Sequence, residues 1–339
     1  MTGFEAKTLH RLLEFDPKTY SFKRNQDNPI SATAIVVDET SMLDLFLAYS
    51  FIKAVDDDAQ ILFVGDINQL PSIGPGRVLQ DLIASGQVAV VELTEVFRQA
   101  QTSSIVVSSH NINQGKYPKL EIVSNKPQSD CLIYTAQNSQ EGVEAIFNLV
   151  SDLIPNLGFD PVQDVQVLCP MTKTEIGTQN LNLVLQKLIN PPSKSKTEIM
   201  FGGMTLRVGD RVIQKTNNYE QEVFNGDLGI VCKIDLKLQE VTVKFDQRLV
   251  TYDYTDLDEI TLAWSITIHK SQGSEYPVVI LPIFMQHYPI LSRNLLYTGL
   301  TRAKQLAILV GQEKAISLAI KQVDSNQRYT LLAHRLMCI

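Results

Sequence analysis

Two adjacent carboxylates stand at the end of an apolar run early in the chain. Asp38 and Glu39 follow Ile35-Val36-Val37, and a short β-branched run of this kind is typical of a buried parallel strand. Its polar end then lies at the carboxyl edge of the sheet, where open α/β folds bind ligands. The pair therefore indicates Mg²⁺ and phosphate chemistry. Asp38 would hold the metal through its waters, and Glu39 would polarise the water that attacks a γ-phosphate. The alternative is a strand followed by an acidic helix cap.

Polar side chains also follow two later apolar runs. Asp66 and Gln69 come after Ile61 to Val64, and the Gln69 amide could hydrogen-bond the γ-phosphate or its attacking water. Arg98 comes after a third predicted strand, Val88 to Leu93, where its guanidinium could neutralise charge on a transferring phosphoryl group. A simple loop at Gln69 and a surface position for Arg98 are the structural alternatives.

Two polar segments later in the chain have the groups that phosphate contact requires. The run Thr267-Ile-His-Lys-Ser-Gln-Gly-Ser-Glu275 combines hydroxyls, an ammonium and a glycine that exposes backbone N–H groups, which suits the phosphates of a nucleotide or of a DNA backbone. Arg302 belongs to a predicted helix and could reach across a domain cleft as an arginine finger. Its alternative role is to complement the dipole at that helix C-terminus, together with Lys304.

The elements that must position these groups alternate between strands and helices. The three apolar runs predict strands, and the 3.6-residue period predicts a helix from Met42 to Val55 that carries Leu45, Phe46, Tyr49 and Ile52 on one face. This alternation predicts a doubly wound α/β domain over residues 1–100. A hairpin is the simplest interpretation of residues 13–25 within it.

A second α/β domain is predicted over residues 101–201 and 259–339. Between them, residues 202–258 form short alternating strands separated by turns such as Asn225-Gly226. Strands of this length and spacing are typical of a small β-barrel. The sequence therefore predicts two α/β domains, the second carrying a β-barrel insertion.

Composition limits the classes of function. The 339 residues are 44% hydrophobic, which suffices for two or three folded domains. A net charge of -7 argues against a general polyanion-binding surface, so any nucleic acid must be held in a local groove. The four cysteines form no C-x-x-C pair, which predicts neither a zinc site nor a disulfide framework and fits a reducing cytoplasm. No apolar run approaches the roughly 18 residues that span a bilayer.

Taken together, the polar segments resemble those of a known family, the RecD-like branch of the superfamily 1 DNA helicases, which tracks 5′ to 3′. The matching segments cover nearly the whole chain: Thr8-Leu-His-Arg-Leu-Leu, Val-Val-Asp-Glu-Thr-Ser-Met-Leu, Val-Gly-Asp-Ile-Asn-Gln-Leu-Pro-Ser-Ile-Gly-Pro-Gly, Phe-Arg-Gln, Phe-Asn-Gly-Asp-Leu-Gly, Ile-His-Lys-Ser-Gln-Gly-Ser-Glu and Tyr-Thr-Gly-Leu-Thr-Arg-Ala-Lys.

The resemblance implies a fold and an activity. The fold is α/β, with two RecA-like doubly wound parallel-sheet domains, the first of them incomplete, and an SH3-like β-barrel insertion at residues 202–258. The hairpin at 13–25 resembles a strand-splitting pin. The implied activity is an ATP-dependent DNA helicase or translocase that acts on single-stranded DNA in repair or recombination, with ATP and Mg²⁺ as cofactors.

The resemblance also implies roles for individual residues. The implied catalytic residues are Asp38 with Mg²⁺, Glu39 with the attacking water, Gln69 as γ-phosphate sensor, and Arg98 and Arg302 around the γ-phosphate. The residues implied to bind nucleotide are Asp66, Gly273 and Glu275. Those implied to border the single strand are Thr8, His10, Arg11, Thr267, His269, Lys270 and Ser271.

One segment of the family pattern is missing from this chain. Helicases of this branch carry a phosphate-cradling G-x-x-x-x-G-K-[ST] loop before the Thr8 segment, and no substitute for it occurs in the 339 residues. We therefore expect the chain alone to hydrolyse ATP negligibly. Three interpretations follow: a C-terminal helicase portion whose P-loop comes from an upstream segment or partner chain, a catalytically inactive DNA-binding or regulatory relic, and an RNA-directed or nuclease-associated subunit of a larger complex.

Overall fold

The computed structural model describes residues 6–93, 102–323 and 328–338. The chain divides into two compact units. Unit 1 comprises Met1–Glu95 and Asp324–Ile339, and unit 2 comprises Val96–Val323. Arg98, which sequence reasoning placed near the γ-phosphate, lies outside the described residues. No helix of the described ranges has the length and apolar character that crossing a bilayer requires.

Unit 1 is built around two parallel strands and the helix between them. Its elements before residue 94 are α1 (Leu9–Leu12), β1 (Phe15–Asp16), β2 (Ser21–Phe22), β3 (Ala34–Val37), α2 (Leu45–Ala54), β4 (Gln60–Phe63) and α3 (Val78–Ser85). β3 and β4 pair in parallel, with Val37 opposite Phe63. The β1–β2 hairpin pairs Phe15 with Phe22 and is extended by a hydrogen bond from Arg24 N to Leu13 O.

The face of α2 that packs on the sheet differs from the predicted one. The buried side chains are Ala48, Phe51 and Ala54, whereas Phe46 is 72% exposed and Tyr49 is 60% exposed. Both sides of this helix are apolar in sequence, so the 3.6-residue period alone does not identify the side that meets the strands. The predicted face with Leu45, Phe46, Tyr49 and Ile52 was wrong as a core face for this reason.

The third predicted strand of unit 1 is also absent from the described residues. Residues 88–93 have no strand pairing there, and Val91 and Leu93 are 88% and 94% exposed. A strand exists only with a paired neighbour, and β3 and β4 pair with each other alone among the described residues. The apolar run Val88 to Leu93 is therefore not a strand, because no neighbouring strand among the described residues pairs with it.

Unit 2 contains a six-stranded sheet in which every pairing is parallel, with the order β15 (Ser265–Thr267), β7 (Val165–Cys169), β16 (Tyr276–Ile283), β17 (Ala303–Gly311), β6 (Cys131–Thr135) and β5 (Glu121–Ile122). Its elements before the insertion are α4 (Ser104–Asn113), β5 (Glu121–Ile122), β6 (Cys131–Thr135), α5 (Ser139–Asn148), a π-helical turn (Leu149–Leu153), α6 (Ile154–Asn156), β7 (Val165–Cys169) and α7 (Thr178–Ile189). α5, the π-helical turn and α6 follow one another without a break, and Pro155 lies near the end of this helical run.

The insertion forms a five-stranded antiparallel sheet. The strands of this region are β8 (Glu198–Phe201), β9 (Met204–Arg207), β10 (Arg211–Gln214), β11 (Leu228–Asp235), β12 (Glu240–Phe245), β13 (Arg248–Asp253) and β14 (Ile260–Leu262). The sheet order is β13-β12-β11-β10-β14, and β8 and β9 form a separate hairpin. Among the described residues the edge strands β13 and β14 do not pair, so the predicted barrel is not closed along that edge.

The parallel sheet resumes after the insertion. The remaining elements are β15 (Ser265–Thr267), β16 (Tyr276–Ile283), α8 (Arg293–Leu300), β17 (Ala303–Gly311), α9 (Glu313–Lys321) and α10 (Leu332–Met337). α10 belongs to unit 1, where it packs against α3. The sequence pattern placed all of residues 259–339 in the second domain. In the structure, Leu332 of α10 joins the apolar cluster around Leu43 and Val78 of unit 1.

A buried histidine makes the stability of unit 2 depend on pH. His287 is fully buried, its Nδ1 accepts the backbone N–H of Phe284 at 3.2 Å, and burial lowers its pKa from 6.5 to about 4. Protonation therefore favours the unfolded chain: the stabilisation is complete above about pH 6.5 and is lost as the pH falls towards 4. We expect the free energy of unfolding to lose about 3 kcal/mol from this group between about pH 7 and pH 4.

Urea unfolding of His287→Asn tests this expectation. Asparagine supplies an acceptor for the Phe284 N–H but does not titrate, so the variant should lose about 3 kcal/mol less than the native chain over this pH range. His110→Asn is the matched control, since His110 is an exposed histidine of the same unit. Equal pH dependence in the native chain and in His287→Asn would contradict the assignment.

Candidate functional site

The parallel pairing of β3 and β4 brings the predicted acid pair and the predicted sensor loop to one sheet edge. Val64 N donates to Val37 O at 2.8 Å and Thr40 N donates to Val64 O at 2.9 Å, so the ladder continues past both strands. Asp38 and Glu39 therefore leave the sheet beside the point where Gly65 and Asp66 leave it. This is the carboxyl edge, where α/β folds bind ligands.

Backbone conformation at this edge is unusual. Glu39 has φ 50° and ψ 39°, a left-handed conformation that costs a non-glycine residue about 1–2 kcal/mol. The turn is held by Thr40, which is buried and whose Oγ1 donates to Val37 O at 2.8 Å. Strained residues of this kind concentrate at functional sites, which agrees with a catalytic role for Glu39.

The Asp38 carboxylate fits a magnesium ligand. Its side chain is exposed, and its Oδ1 accepts the backbone N–H of Glu39 at 2.8 Å, which fixes the orientation of the group. A carboxylate held at an open sheet edge suits Mg²⁺, which keeps several of its waters and takes one or two protein ligands. When bound, the ion would neutralise charge on the β- and γ-phosphates.

Gly65 allows the loop after β4 to lie close to the turn after β3. A Cβ at this position would lie 3.0 Å from the backbone nitrogens of Thr40 and Ser41 and 2.9 Å from Leu79 Cδ2. Two of these neighbours are backbone atoms that cannot move aside, so only glycine allows the loop after β4 to approach the turn after β3. The following loop is stabilised by Gln69 N, which donates to Asp66 O at 3.2 Å, and by the Gln80 amide, which donates to Ile67 O at 3.2 Å.

The residues predicted to border a single strand in unit 1 surround the hairpin. Thr8 caps α1 and accepts the Arg11 N–H at 3.3 Å. The His10 ring lies 5.8 Å from that of Phe15 and 5.7 Å from that of Phe22, and burial lowers its pKa, partly offset by the charge of Asp44. A neutral His10 therefore supports the hairpin, and its ring is packed against aromatic side chains of that hairpin.

The segment Thr267 to Glu275 follows the edge strand of the parallel sheet in unit 2. Thr267 caps the 3-10 turn of residues 268–271 and accepts the Lys270 N–H at 3.4 Å. His269 is partly buried, which lowers its pKa. Ser271 is fully buried and donates to Ile268 O at 2.8 Å, so its hydroxyl closes the turn. Its predicted contact with DNA stays a prediction.

Arg302 is brought to the same segment. Its side chain is buried, and its guanidinium donates to Thr298 O at 3.3 Å, to Ser274 O at 3.2 Å and to Thr301 Oγ1 at 3.3 Å. Action as an arginine finger requires it to exchange these acceptors for phosphate oxygens. The neighbouring Glu275 pairs with Lys304 at 3.0 Å on the surface, and a pair of this exposure adds little to stability.

Gly273 lies within the segment and has φ 74°, with nothing within 4 Å of the place a Cβ would occupy. The open space and the left-handed backbone leave its N–H accessible at the turn. The structure thus collects Gly273, Glu275 and Arg302 in unit 2, and Asp38, Glu39, Asp66 and Gln69 in unit 1.

A cavity of about 500 Å³ in unit 2 shows residues that sequence reasoning missed. It is lined by Lys270 and Thr267 from the predicted set, and also by Thr172, Gln179 and Lys215. Burial, and then the charge of Lys215, lower the pKa of Lys270. The ammonium groups of Lys215 and Lys270 lie close enough for one charge to lower the pKa of the other. An anion bound between them is therefore favoured. Lys215 directly follows the buried strand β10. A lysine at the end of an apolar strand is the feature of the sequence that could have identified it as a candidate phosphate ligand.

Three regions of the chain each match a different family model. Residues 1–75 match the family model described as AAA domain, residues 181–245 match ATP-dependent RecD-like DNA helicase SH3 domain, and residues 262–310 match UvrD-like helicase C-terminal domain. In two solved structures of Pif1 helicases the fold is similar. One, from Bacteroides in complex with ADP-AlF3 and ssDNA, has a TM-score of 0.53 at 18% identity over 92% of this chain and 80% of that chain. The other, at forked dsDNA, has a TM-score of 0.51 at 19% identity over 89% and 77% of the two chains.

Two curated relatives align along almost the whole chain. The ATP-dependent RecD2 DNA helicase of Deinococcus radiodurans is 34% identical over 342 residues, covering 99% of this chain and 44% of that protein. The RecBCD enzyme subunit RecD of Mycolicibacterium smegmatis is 27% identical over 333 residues, covering 95% and 58%. The chain thus spans about half the length of these relatives. The matches confirm the predicted α/β fold class with an SH3-like insertion, and the chain belongs to the RecD-like family of superfamily 1 helicases.

Proposed function

We propose that this chain is the motor portion of an ATP-dependent DNA helicase or translocase that moves on single-stranded DNA in repair or recombination. We propose further that it hydrolyses ATP, with Mg²⁺ at Asp38, only when an upstream segment or a partner chain supplies a P-loop. Closure of the two units on the nucleotide would then move the strand.

The observation that supports this proposal is an exposed apolar face of the β3–β4 sheet. Val36 and Leu62 are 64% and 57% exposed on the side of the strands opposite to α2, although parallel sheets are normally covered on both faces. An added parallel strand with its helix would cover such a face. The loop after that strand would lie at the same carboxyl edge as Asp38 and Glu39, which is where a P-loop must present its N–H groups to the phosphates.

ATP turnover with and without a P-loop segment tests the proposal. The purified 339-residue chain should show negligible turnover, and the same chain joined to the corresponding N-terminal segment of its RecD2 relative should show turnover that single-stranded DNA stimulates. Robust turnover by the chain alone would contradict the requirement for a P-loop. DNA binding that is indifferent to ATP analogues in the joined protein would instead support an inactive DNA-binding relic.

The two lysines of the unit 2 cavity are expected to bind the phosphate backbone. Each phosphate contact that is lost should weaken binding of single-stranded DNA and make the slope of log affinity against log salt shallower by about 0.7. Lys215→Gln and Lys270→Gln should each show this change in anisotropy titrations between about 50 and 200 mM salt.

Lys233→Gln is the matched control for this titration. Lys233 lies on the same insertion and pairs with Asp235 at 3.0 Å, and it is not among the residues that line the cavity. Its replacement should leave the slope unchanged. Equal slopes in the native chain and in both cavity variants would exclude the cavity as a phosphate site.

A further inference from the structure

The C-terminal segment of the chain is anchored on the loop that follows Gln69. Arg328 Nη1 donates to Gly74 O at 2.7 Å, to Gly76 O at 2.9 Å and to Ser72 Oγ at 3.1 Å, and its Nη2 donates to Ser72 O at 2.6 Å. One guanidinium thus supplies donors to three backbone carbonyls within five residues. Carbonyl groups that converge in this way need a cation or several N–H groups to satisfy them.

The same loop is tied to the helix that follows the acid pair. Leu45 N donates to Pro75 O at 2.8 Å at the start of α2, and a Cβ on Gly74 would lie 2.3 Å from Asp44 Oδ2. The loop of residues 70–77, here called the sensor loop, is therefore held on one side by α2 and on the other by Arg328. Gln69 immediately precedes it, so the path of the loop determines where the Gln69 amide lies.

Two other contacts of the C-terminal segment reach α3. Thr330 Oγ1 bonds to Asp81 Oδ2, and Leu332 packs in the cluster that contains Val78. Arg328 itself bears directly on the sensor loop, which follows the predicted phosphate sensor.

We propose that Arg328 is a positioning residue that fixes the sensor loop and thereby Gln69, the proposed γ-phosphate sensor. The role of Gln69 in this statement rests on the proposed function, whereas the fixing of the loop does not.

Amide hydrogen exchange of the 339-residue chain tests the fixing of the loop. Two amides report on it: Leu45, which donates to Pro75 O, and Gln69, which donates to Asp66 O. Arg328→Ala should increase exchange at both by about tenfold or more, because Ser72 O, Gly74 O and Gly76 O lose the guanidinium and only Gly74 O keeps a further donor, the Ser72 hydroxyl. Thr330→Val is the matched control, since it loosens the same segment at α3 and should leave both amides unchanged. Arg328→Lys should restore protection in part, because an ammonium is charged but lacks the planar fork.

Steady-state kinetics of the protein joined to a P-loop segment separate positioning from simple stability. Arg328→Ala should lower kcat and leave the KM for ATP unchanged, and Thr330→Val should alter neither. Unchanged exchange in Arg328→Ala, or an equal increase in Thr330→Val, would overturn the inference. Faster exchange with an unchanged kcat would overturn the link to Gln69. Absence of turnover in the joined protein without substitutions counts against the proposed function alone, and the exchange result still decides whether Arg328 fixes the loop.

Discussion

Glu39→Gln is expected to lower ATP turnover by about 10²- to 10⁴-fold in the chain joined to a P-loop segment, because the amide cannot polarise the attacking water. Binding of nucleotide should persist, since Asp38 and the P-loop hold the Mg²⁺ and the phosphates. The measurement is steady-state phosphate release in the presence of single-stranded DNA, together with the affinity for a fluorescent ATP analogue.

Glu14→Gln is a suitable control for this substitution. Glu14 also has a left-handed backbone, with φ 53°, and its carboxylate pairs with Arg24 at 2.7 Å at the base of the hairpin. Glu14→Gln therefore removes a carboxylate charge from a residue with a left-handed backbone, as Glu39→Gln does, but at a position away from the edge of the β3–β4 sheet. Turnover close to that of the unsubstituted protein in Glu14→Gln and also in Glu39→Gln would show that the role given to Glu39 is wrong.

Arg302→Ala should lower turnover of the joined protein by about 10³-fold or more, which is the range for an arginine that stabilises charge on the transferring phosphoryl group. The result must be distinguished from a loss of packing, because the guanidinium is buried and bonded to carbonyl groups in the structure. Measurement of kcat together with thermal unfolding makes the distinction.

Arg293 at the start of α8 offers the matched comparison, since Arg302 lies just after the end of this helix. Its guanidinium also donates to backbone carbonyls, to Ile320 O at 2.9 Å and to Asn113 O at 3.3 Å. Arg293→Ala should therefore lower the melting temperature to a similar extent and leave kcat almost unchanged. If the two variants reduced kcat equally, Arg302 would be a structural arginine and not part of the chemistry.

The strand carrying the acid pair and the parallel sheet of unit 2 could be predicted from sequence, because each is a continuous β-branched run with a polar group at its end. Val165 to Cys169 and Val278 to Leu281 lie within buried parallel strands for this reason. The turn chemistry of Asn225-Gly226 likewise precedes β11 of the insertion. Local pattern was sufficient for the central strands of unit 2 because burial on both faces of a parallel strand leaves few alternative conformations.

Three features of the structure depend on packing and contacts that the sequence pattern does not report. Helix α2 is apolar on both sides, so its period could not distinguish the core face from the one with Phe46. Ser271 has the residue type of a phosphate ligand, and only the structure shows its hydroxyl turned inwards to Ile268 O. The return of Arg328 to the sensor loop joins residues about 250 positions apart, as the bond to Gly74 shows with a separation of 254, and no local pattern reports a contact of that kind.

We expect Glu39, Gln69, Arg98 and Arg302 to act on one triphosphate. A crystal structure of the chain joined to a P-loop segment, with Mg²⁺, an ADP-aluminium fluoride transition-state analogue and single-stranded DNA, tests this expectation directly. The prediction is that Glu39, Gln69, Arg98 and Arg302 each place a polar atom within about 3 Å of the fluoride group or its attacking water. The account is contradicted if these side chains lie on separate surfaces with the analogue bound.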